Sequence, residues 1–413
     1  MQGSEEGMFF TGEGDKAMRE GVTFPEGFLA TGLHCGIKKN GKKDLALIFS
    51  TCPCHAAGTF TTNKAKAFSV LWSLKHITNP IRAILANSGN ANALGGPEGW
   101  EITTSLMTRL SQELDISETN LLFASTGLIG TILPEETIAG AFSGMKKMLS
   151  PEGGSDVAEA IMTTDRFPKK ISLTTSIPGK KGKVKIGGIC KGAGMIHPNM
   201  ATMLAFLTTD AVIDREALSK ALKAAVSKSF NMITVDGDQS TNDTVICLAN
   251  GLAKNAHIHP ETPAYDTFSS ALTELCVELA SMIVRDGEGA KKEIEVRVSG
   301  AWNEKDARRV ARRIAGSTLN KAAFAGEWPN WGRIAASAGM VCSRINMNTL
   351  SIAVCGMPVY SGGPLPYDEQ GLRKRLKDKK IVVELDLAKG SASAVAWGCD
   401  LTPDYVTLNM EKE

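Results

Sequence analysis

From Lys191 to Asp210 the chain reads KGAGMIHPNMATMLAFLTTD, and no other passage limits the fold as strongly. Gly192 and Gly194 allow a small-residue turn, Pro198 stops any helix, and the residues from Thr202 onward form an apolar strand. A glycine-rich turn invites a nucleotide reading, but the segment fails it. No GxxxxGK[ST] string exists, and the Gly192-x-Gly194 pair lacks the third glycine of a dinucleotide fingerprint and opens no helix. Cleavage before Thr202 would instead free a threonine whose own α-amine lies beside its hydroxyl. An α-amine titrates near about 7.7–8.0, so a useful fraction is neutral at neutral pH and can take the hydroxyl proton.

Length and composition narrow the class. A chain of 413 residues exceeds one ordinary core, which predicts two or three domains. Hydrophobic residues make up 43% and charged residues 22%, the balance of a soluble globular protein. A formal net charge of +2 supplies no reason to expect nucleic acid or a membrane surface as partner. No apolar run nears the ~18–20 residues of a membrane span, and the Gly- and Glu-rich start lacks the basic and apolar regions of a secretory signal. The nine cysteines are odd in number, scattered and mostly within apolar segments, which predicts buried reduced thiols and a cytoplasmic protein.

Two clusters invite a metal reading. Cys52-Pro-Cys54-His55 has no second ligand cluster to complete a tetrahedral site, and His257-Ile-His259 places two imidazoles on one side of a strand. The expectation is solvated or core packing and no metal.

Periodicity predicts strands at Ala46–Phe49, Ala83–Asn87, Leu121–Ser125, Thr202–Leu207, Ile294–Val298, Thr349–Val354, Ile381–Asp386 and Ser391–Asp400. Helices are predicted over Glu101–Leu114, Glu135–Leu149, Asp214–Ser227 with Asp214 as N-cap, and Tyr265–Val284. Asp236–Thr244 reads as a polar loop and Lys180–Lys185 as a basic hairpin loop.

Further motifs stand in order along the chain: Ala86-Asn-Ser-Gly-Asn-Ala-Asn92, Ser125-Thr-Gly-Leu-Ile-Gly130, Met162-Thr-Thr-Asp165 and Val235-Asp-Gly-Asp-Gln-Ser-Thr-Asn-Asp243. Val284-Arg-Asp-Gly-Glu-Gly289, Pro329-Asn-Trp-Gly-Arg333 and Ala396-Trp-Gly-Cys-Asp-Leu-Thr402 follow. With the segment around Ala201-Thr202, these resemble the ornithine acetyltransferase (glutamate N-acetyltransferase) family of arginine biosynthesis, which has monofunctional and bifunctional members. Each motif alone is weak; together, over about residues 22–409, they are specific.

The resemblance implies a layered α/β sandwich of the self-cleaving N-terminal-threonine acyltransferase type. Cleavage between Ala201 and Thr202 would give chains 1–201 and 202–413 that build one folded unit, with two copies of each as the family's usual heterotetramer. Thr202 matches the nucleophile, and Thr126 and Gly127 match the oxyanion-binding pair. Substrate-binding positions match Thr163 (Thr164 being the alternative within the pair), Lys191, Glu288 and Asn409. Lys191 is expected to meet a carboxylate and Glu288 the ornithine ammonium. Residues 87–92 and 236–243 receive no direct role. Gly192, Gly194 and Pro198 are expected to shape the bend that aims the scissile bond.

The implied reaction moves acetyl from N-acetylornithine to glutamate, releasing ornithine and N-acetylglutamate, through an acetyl-threonine and without a cofactor. Whether acetyl-CoA also serves as donor is left open, since no residue decides it. Two rivals are an amidohydrolase or aminopeptidase that shares the self-cleaving fold and passes the acyl group to water, and a binding module with an intact chain.

Overall fold

The computed structural model describes residues 9–10, 20–178, 182–197, 203–342 and 344–410. The sequence calls on Pro198, Ala201 and Thr202, and part of the Lys180–Lys185 loop, lie outside these residues.

Fifteen strands are described. In chain order they begin β1 (Phe9–Phe10), β2 (Phe28–Leu33), β3 (Leu45–Phe60), β4 (Ile81–Asn90) and β5 (Leu121–Leu128). Next come β6 (Lys169–Ser176), β7 (Lys183–Lys191), β8 (Leu204–Thr209), β9 (Ile233–Thr234) and β10 (Thr244–Ala249). The last are β11 (Glu293–Ala301), β12 (Ser351–Val354), β13 (Met357–Ser361), β14 (Lys380–Asp386) and β15 (Ala392–Cys399). They form a nine-stranded sheet in the order β1-β6-β7-β8-β10-β3-β4-β5, with β2 added on β3, and a six-stranded sheet in the order β13-β12-β14-β11-β15-β9.

The chain divides into two compact units. The first comprises residues 1–192, 199–229 and 239–279; the second comprises 193–198, 230–238 and 280–413.

In the first unit, alternation along the strands fills two cores. Leu45, Leu47, Ala83, Leu85, Leu121 and Phe123 pack with Leu106, Leu110 and Met107 of the helix Gly96–Leu114. Their neighbours Ala46, Ile48, Ile84, Ala86, Leu122 and Ala124 join Val157 and Ala158 of the helix Gly154–Ala160 in a separate cluster. A sheet apolar on both faces must be covered on both, which produces the expected layering of helices and sheet. β8, which follows residue 202, pairs antiparallel with β7, which precedes it, from Ile186↔Thr209 to Lys191↔Leu204. Both sides of the expected scissile bond thus contribute to one sheet. β3 is long enough to serve two neighbourhoods, pairing with β2 through Leu45–Ser50 and with β10 through His55–Phe60.

In the second unit the helix Glu304–Ala315 covers β11 and β15 with buried Ala307, Val310, Ala311 and Ile314. Asn303 caps it by accepting from Asp306 N–H at 2.9 Å.

Several expectations need correction. The helix ending at Leu114 starts at Gly96, because Pro97 suits the first turn. The expected Glu135–Leu149 helix is two short ones, Glu135–Gly140 and Phe142–Met148, interrupted at Ala141 beside helix-weakening Gly140. Asp214 occupies the N-cap position of the helix Arg215–Lys228 but makes no side-chain cap bond. Its carboxylate instead meets His257 Nε2 at 3.0 Å and His259 Nδ1 at 2.6 Å. The helix Pro263–Arg285 is long and apolar enough, by length and composition, to cross a membrane. It is a core helix, with Phe268, Leu272, Leu275, Leu279 and Ile283 buried.

Candidate active site

The parallel pair β4 and β5 carries two of the sequence motifs to its carboxyl ends. Thr126 and Gly127 sit inside β5, which runs past its expected end at Ser125, and pair with Ser88 and Gly89. The ladder is irregular there, because Asn90 faces both Thr126 and Leu128. Gly127 has φ +132°, and a Cβ on it would lie 2.3 Å from the Gly89 carbonyl carbon. Only glycine fits this contact, so its N–H is presented at a place no other residue could occupy.

Lys191, the last residue of β7, reaches the same place. Its ammonium donates to Thr163 Oγ1 at 2.6 Å and to Thr126 Oγ1 at 3.2 Å. An ammonium has only donors, so both hydroxyls accept from it and keep their own protons to give elsewhere. Lys191 is 3% exposed, which makes its charge act through little water. Thr164, by contrast, is exposed, and Thr163 is the member of the pair that meets Lys191.

A buried ion pair that sequence reading missed holds this lysine in place. Asp165 and Lys169 are both fully buried and 2.6 Å apart. The same carboxylate accepts Gly192 N–H at 2.7 Å and Thr163 N–H at 3.0 Å. Burial alone would push the Asp165 carboxyl up, but the Lys191 and Lys169 charges and these bonds bring it down to about 2. Lys169 stands four residues after Asp165 and so was visible as a pair, but nothing in the sequence marked both as buried.

Lys38 was also missed. Its ammonium donates to Met162 O at 2.7 Å and Lys43 O at 2.8 Å, which brings a second cation beside the Thr163 turn. Burial lowers its pKa to about 8, Lys191 adds to the fall, and Asp44 opposes it. Asp44 shapes the loop before Lys38 by accepting backbone N–H groups from Cys35, Gly36 and Lys38.

The polar segment 236–243, expected to have no direct role, makes hydrogen bonds to backbone groups within each unit. In the first unit, Asn242 donates to Ser125 O at 2.7 Å and Ala91 O at 2.6 Å. Asp243 accepts the amide N–H of Met203 at 3.2 Å. In the second unit, Asp236 accepts from Met195 N–H at 2.5 Å and Ile196 N–H at 2.9 Å.

Also in the second unit, Asn409 donates to Glu288 Oε2 at 2.9 Å, so these two expected substrate residues do meet. The Glu288 amide donates to Ala193 O at 2.9 Å, and a Cβ on Gly194 would lie 2.4 Å from Glu288 Oε1. The absence of a side chain at Gly194 therefore makes room for the carboxylate. His197 lies between Thr234 Oγ1 at 3.0 Å and Arg312 at 3.3 Å, and burial together with the arginine lowers its pKa to about 4.

The two metal readings separate. Cys54 is buried in β3, while Cys52 bonds Asn250 O and His55 bonds Ile213 O, so the three share no centre. His257, His259 and Asp214 do converge, with their ligand atoms within 4.8 Å of one another on the surface. All nine cysteines are free thiols.

A lysine shared by two threonine hydroxyls, beside a glycine N–H at the carboxyl ends of strands, is an arrangement that suits an α/β enzyme. The ArgJ family profile matches residues 29–412, and the chain belongs to that family. The arginine biosynthesis bifunctional protein ArgJ of Symbiobacterium thermophilum is 47% identical over 393 residues, covering 94% of this chain and 97% of that protein. The protein of the same name from a Synechococcus strain is 44% identical over 403 residues, covering 95% and 97%. A solved structure, the arginine biosynthesis bifunctional protein of Bacillus halodurans, is 43% identical over 50% of this chain and 97% of its own, with a TM-score of 0.49.

Proposed function

We propose that this chain cleaves itself before Thr202 and then moves an acetyl group from N-acetylornithine to glutamate, a step of arginine biosynthesis. The observation that carries the reading is the Lys191 contact with Thr126 and Thr163 at the ends of β5 and β7. Membership of a family whose relatives are named for arginine biosynthesis supports it.

In self-cleavage the Thr202 hydroxyl attacks the Ala201 carbonyl, the C–N bond breaks, and the nitrogen takes a proton to become the new α-amine. Water then hydrolyses the ester. In turnover the α-amine takes the Thr202 hydroxyl proton as the oxygen attacks the acetyl carbonyl. The oxyanion is held by the Thr126 hydroxyl, which Lys191 leaves free to donate, and by Gly127 N–H. The proton passes to the leaving nitrogen, ornithine departs, and the acetyl-threonine ester remains. The glutamate amine attacks this ester to give N-acetylglutamate and restore Thr202. Lys191 takes a substrate carboxylate and Thr163 positions it. The ornithine ammonium falls to Glu288 and Asn409 by the family resemblance.

No metal or bound cofactor enters this scheme, and acetyl-CoA remains a second possible donor. The cleaved chains assemble as a heterotetramer of two copies of each, and the protein works in the cytoplasm. The test is intact mass of the wild type beside Thr202→Ala, followed by an acetyl-transfer assay with and without acetyl-CoA. Two fragments in the wild type and one chain in the variant are expected. An uncut, fully active wild type would overturn the mechanism.

A further inference from the structure

Lys38 lies in the loop between β2 and β3, and that loop is pinned where the motif-bearing strands end. Its stem passes beside Gly89, the ladder partner of Gly127. A Cβ on Gly89 would lie 3.1 Å from Lys38 Cγ and 3.0 Å from Ile37 Cγ2. The Asp44 carboxylate accepts Lys38 N–H at 2.9 Å, and Asp44 O accepts Ser88 N–H at 2.9 Å, which ties the loop to β4. The ammonium itself is half-buried and donates to two neutral acceptors, Met162 O at 2.7 Å and Lys43 O at 2.8 Å. Among the described residues these carbonyls are its partners, and no carboxylate comes within ion-pair distance of it. Its neighbours are treated differently: Lys43 meets Asp156 and Glu159, and Lys169 meets Asp165. An ammonium carries three donors, so one N–H of Lys38 and its charge are left for another group. A half-buried charge held on neutral groups is costly, and a partner of opposite sign offsets that cost.

Met162 O belongs to the peptide bond that leads into Thr163, and Lys191 donates to the Thr163 hydroxyl. Two ammoniums therefore stand on either side of one residue. We propose that Lys38 is the specificity-determining cation for the acceptor, taking the side-chain carboxylate of glutamate while Lys191 takes its α-carboxylate. This rests on the transfer reaction read above. The two amino acids that exchange the acetyl group share an α-carboxylate but end in opposite charges. An acidic residue that suits the ornithine ammonium repels the second carboxylate of glutamate, so a site that serves both needs a separate cation for that group. Lys38 supplies it. Burial lowers its pKa to about 8; Asp44 and Asp165 oppose the fall, while Lys191 and Lys42 add to it. The ammonium is therefore mostly charged at neutral pH, and a bound carboxylate matches a charge that the fold leaves on carbonyls alone.

Glutamine has the shape of glutamate without its side-chain charge, so it isolates this contact. The experiment measures acetyl transfer from N-acetylornithine to glutamate and to glutamine by the wild type, Lys38→Gln and Lys38→Arg, with thermal melts. Lys38→Gln keeps N–H donors for the two carbonyls and removes the charge, whereas Lys38→Arg keeps the charge. The wild type is expected to prefer glutamate by about tenfold or more in kcat/KM. Lys38→Gln should lose most of that preference, chiefly through a higher KM for glutamate, and Lys38→Arg should keep it to within about threefold. A folded Lys38→Gln that retains the preference, or slows both acceptors equally, would overturn the inference and leave Lys38 as a brace for the Thr163 turn. A wild type that uses glutamine as well as glutamate would overturn it too, whether or not the variants fold. A wild type that transfers acetyl to neither would remove the reaction itself, and the glutamate seat with it.

Discussion

Lys191 Nζ lies 2.6 Å from Thr163 Oγ1, a charge-assisted bond whose lysine is buried and whose threonine is half-buried. The same ammonium touches Thr126, so one cation links a substrate-binding candidate to an oxyanion candidate.

Replacing Lys191 by Met keeps its length and removes the charge. A lost bond to a charged group of this kind costs about 1.5–3 kcal/mol, so kcat/KM for N-acetylornithine should fall by about 10–150-fold. Steady-state kinetics check this, and a change under about threefold would leave Lys191 without a part in the reaction.

The Asp165–Lys169 pair makes stability depend on acid pH. The folded pKa of Asp165, about 2, lies below the ordinary aspartate value of 3.8. A depressed carboxylate contributes above its unfolded pKa, and that contribution is lost as pH falls toward the folded value, here between about pH 4 and pH 2. The loss should be on the order of 2 kcal/mol, read as a fall in melting temperature across that window. Asp165→Asn should flatten the dependence and cost about 3–5 kcal/mol at neutral pH, since it removes the charge that compensates a fully buried lysine.

Thr126→Val and Gly127→Ala should fail in different ways. The valine deletes a hydroxyl from a well-packed strand end, so kcat should drop by about 10²–10³ while the melting temperature holds. The alanine would drive its Cβ to 2.3 Å from the Gly89 carbonyl carbon, so the strand pairing must shift and the melting temperature should fall with activity. Equal melting temperatures in the two variants would contradict the geometry.

Glu288→Gln keeps the contact with Asn409 possible but removes the negative charge. The KM for N-acetylornithine should rise by about tenfold or more, with a smaller change in the KM for glutamate, which has no side-chain ammonium. Gly194→Val should resemble it, because a side chain there meets Glu288 Oε1 at 2.4 Å. Equal effects on both substrates would show that Glu288 does not recognise the ammonium.

Much of this architecture was legible before any coordinates. Period-two apolar runs marked β4, β5, β11 and β14 within a few residues, because a strand buried on one or both faces leaves that pattern wherever it lies. Helix ends were harder. Asp214 looked like an N-cap from its neighbours in sequence, yet two histidines more than forty residues away take its carboxylate. The strand expected to end at Ser125 runs on to Leu128, and Gly127 belongs to it with its partner at Gly89.

The sequence by itself determined the family and singled out Thr202, Thr126, Gly127, Thr163, Lys191, Glu288 and Asn409 as candidates, since ordered motifs carry that information locally. Only the tertiary structure decided that Lys38 joins the Thr163 turn, that Asp165 is matched by Lys169 in full burial, and that Asp243 holds the amide after Thr202. Those three assignments depend on water being excluded and on strands distant in sequence lying side by side. A charged residue in a sequence reads as solvated until the fold removes its solvent, and that removal is what turns it into part of a site.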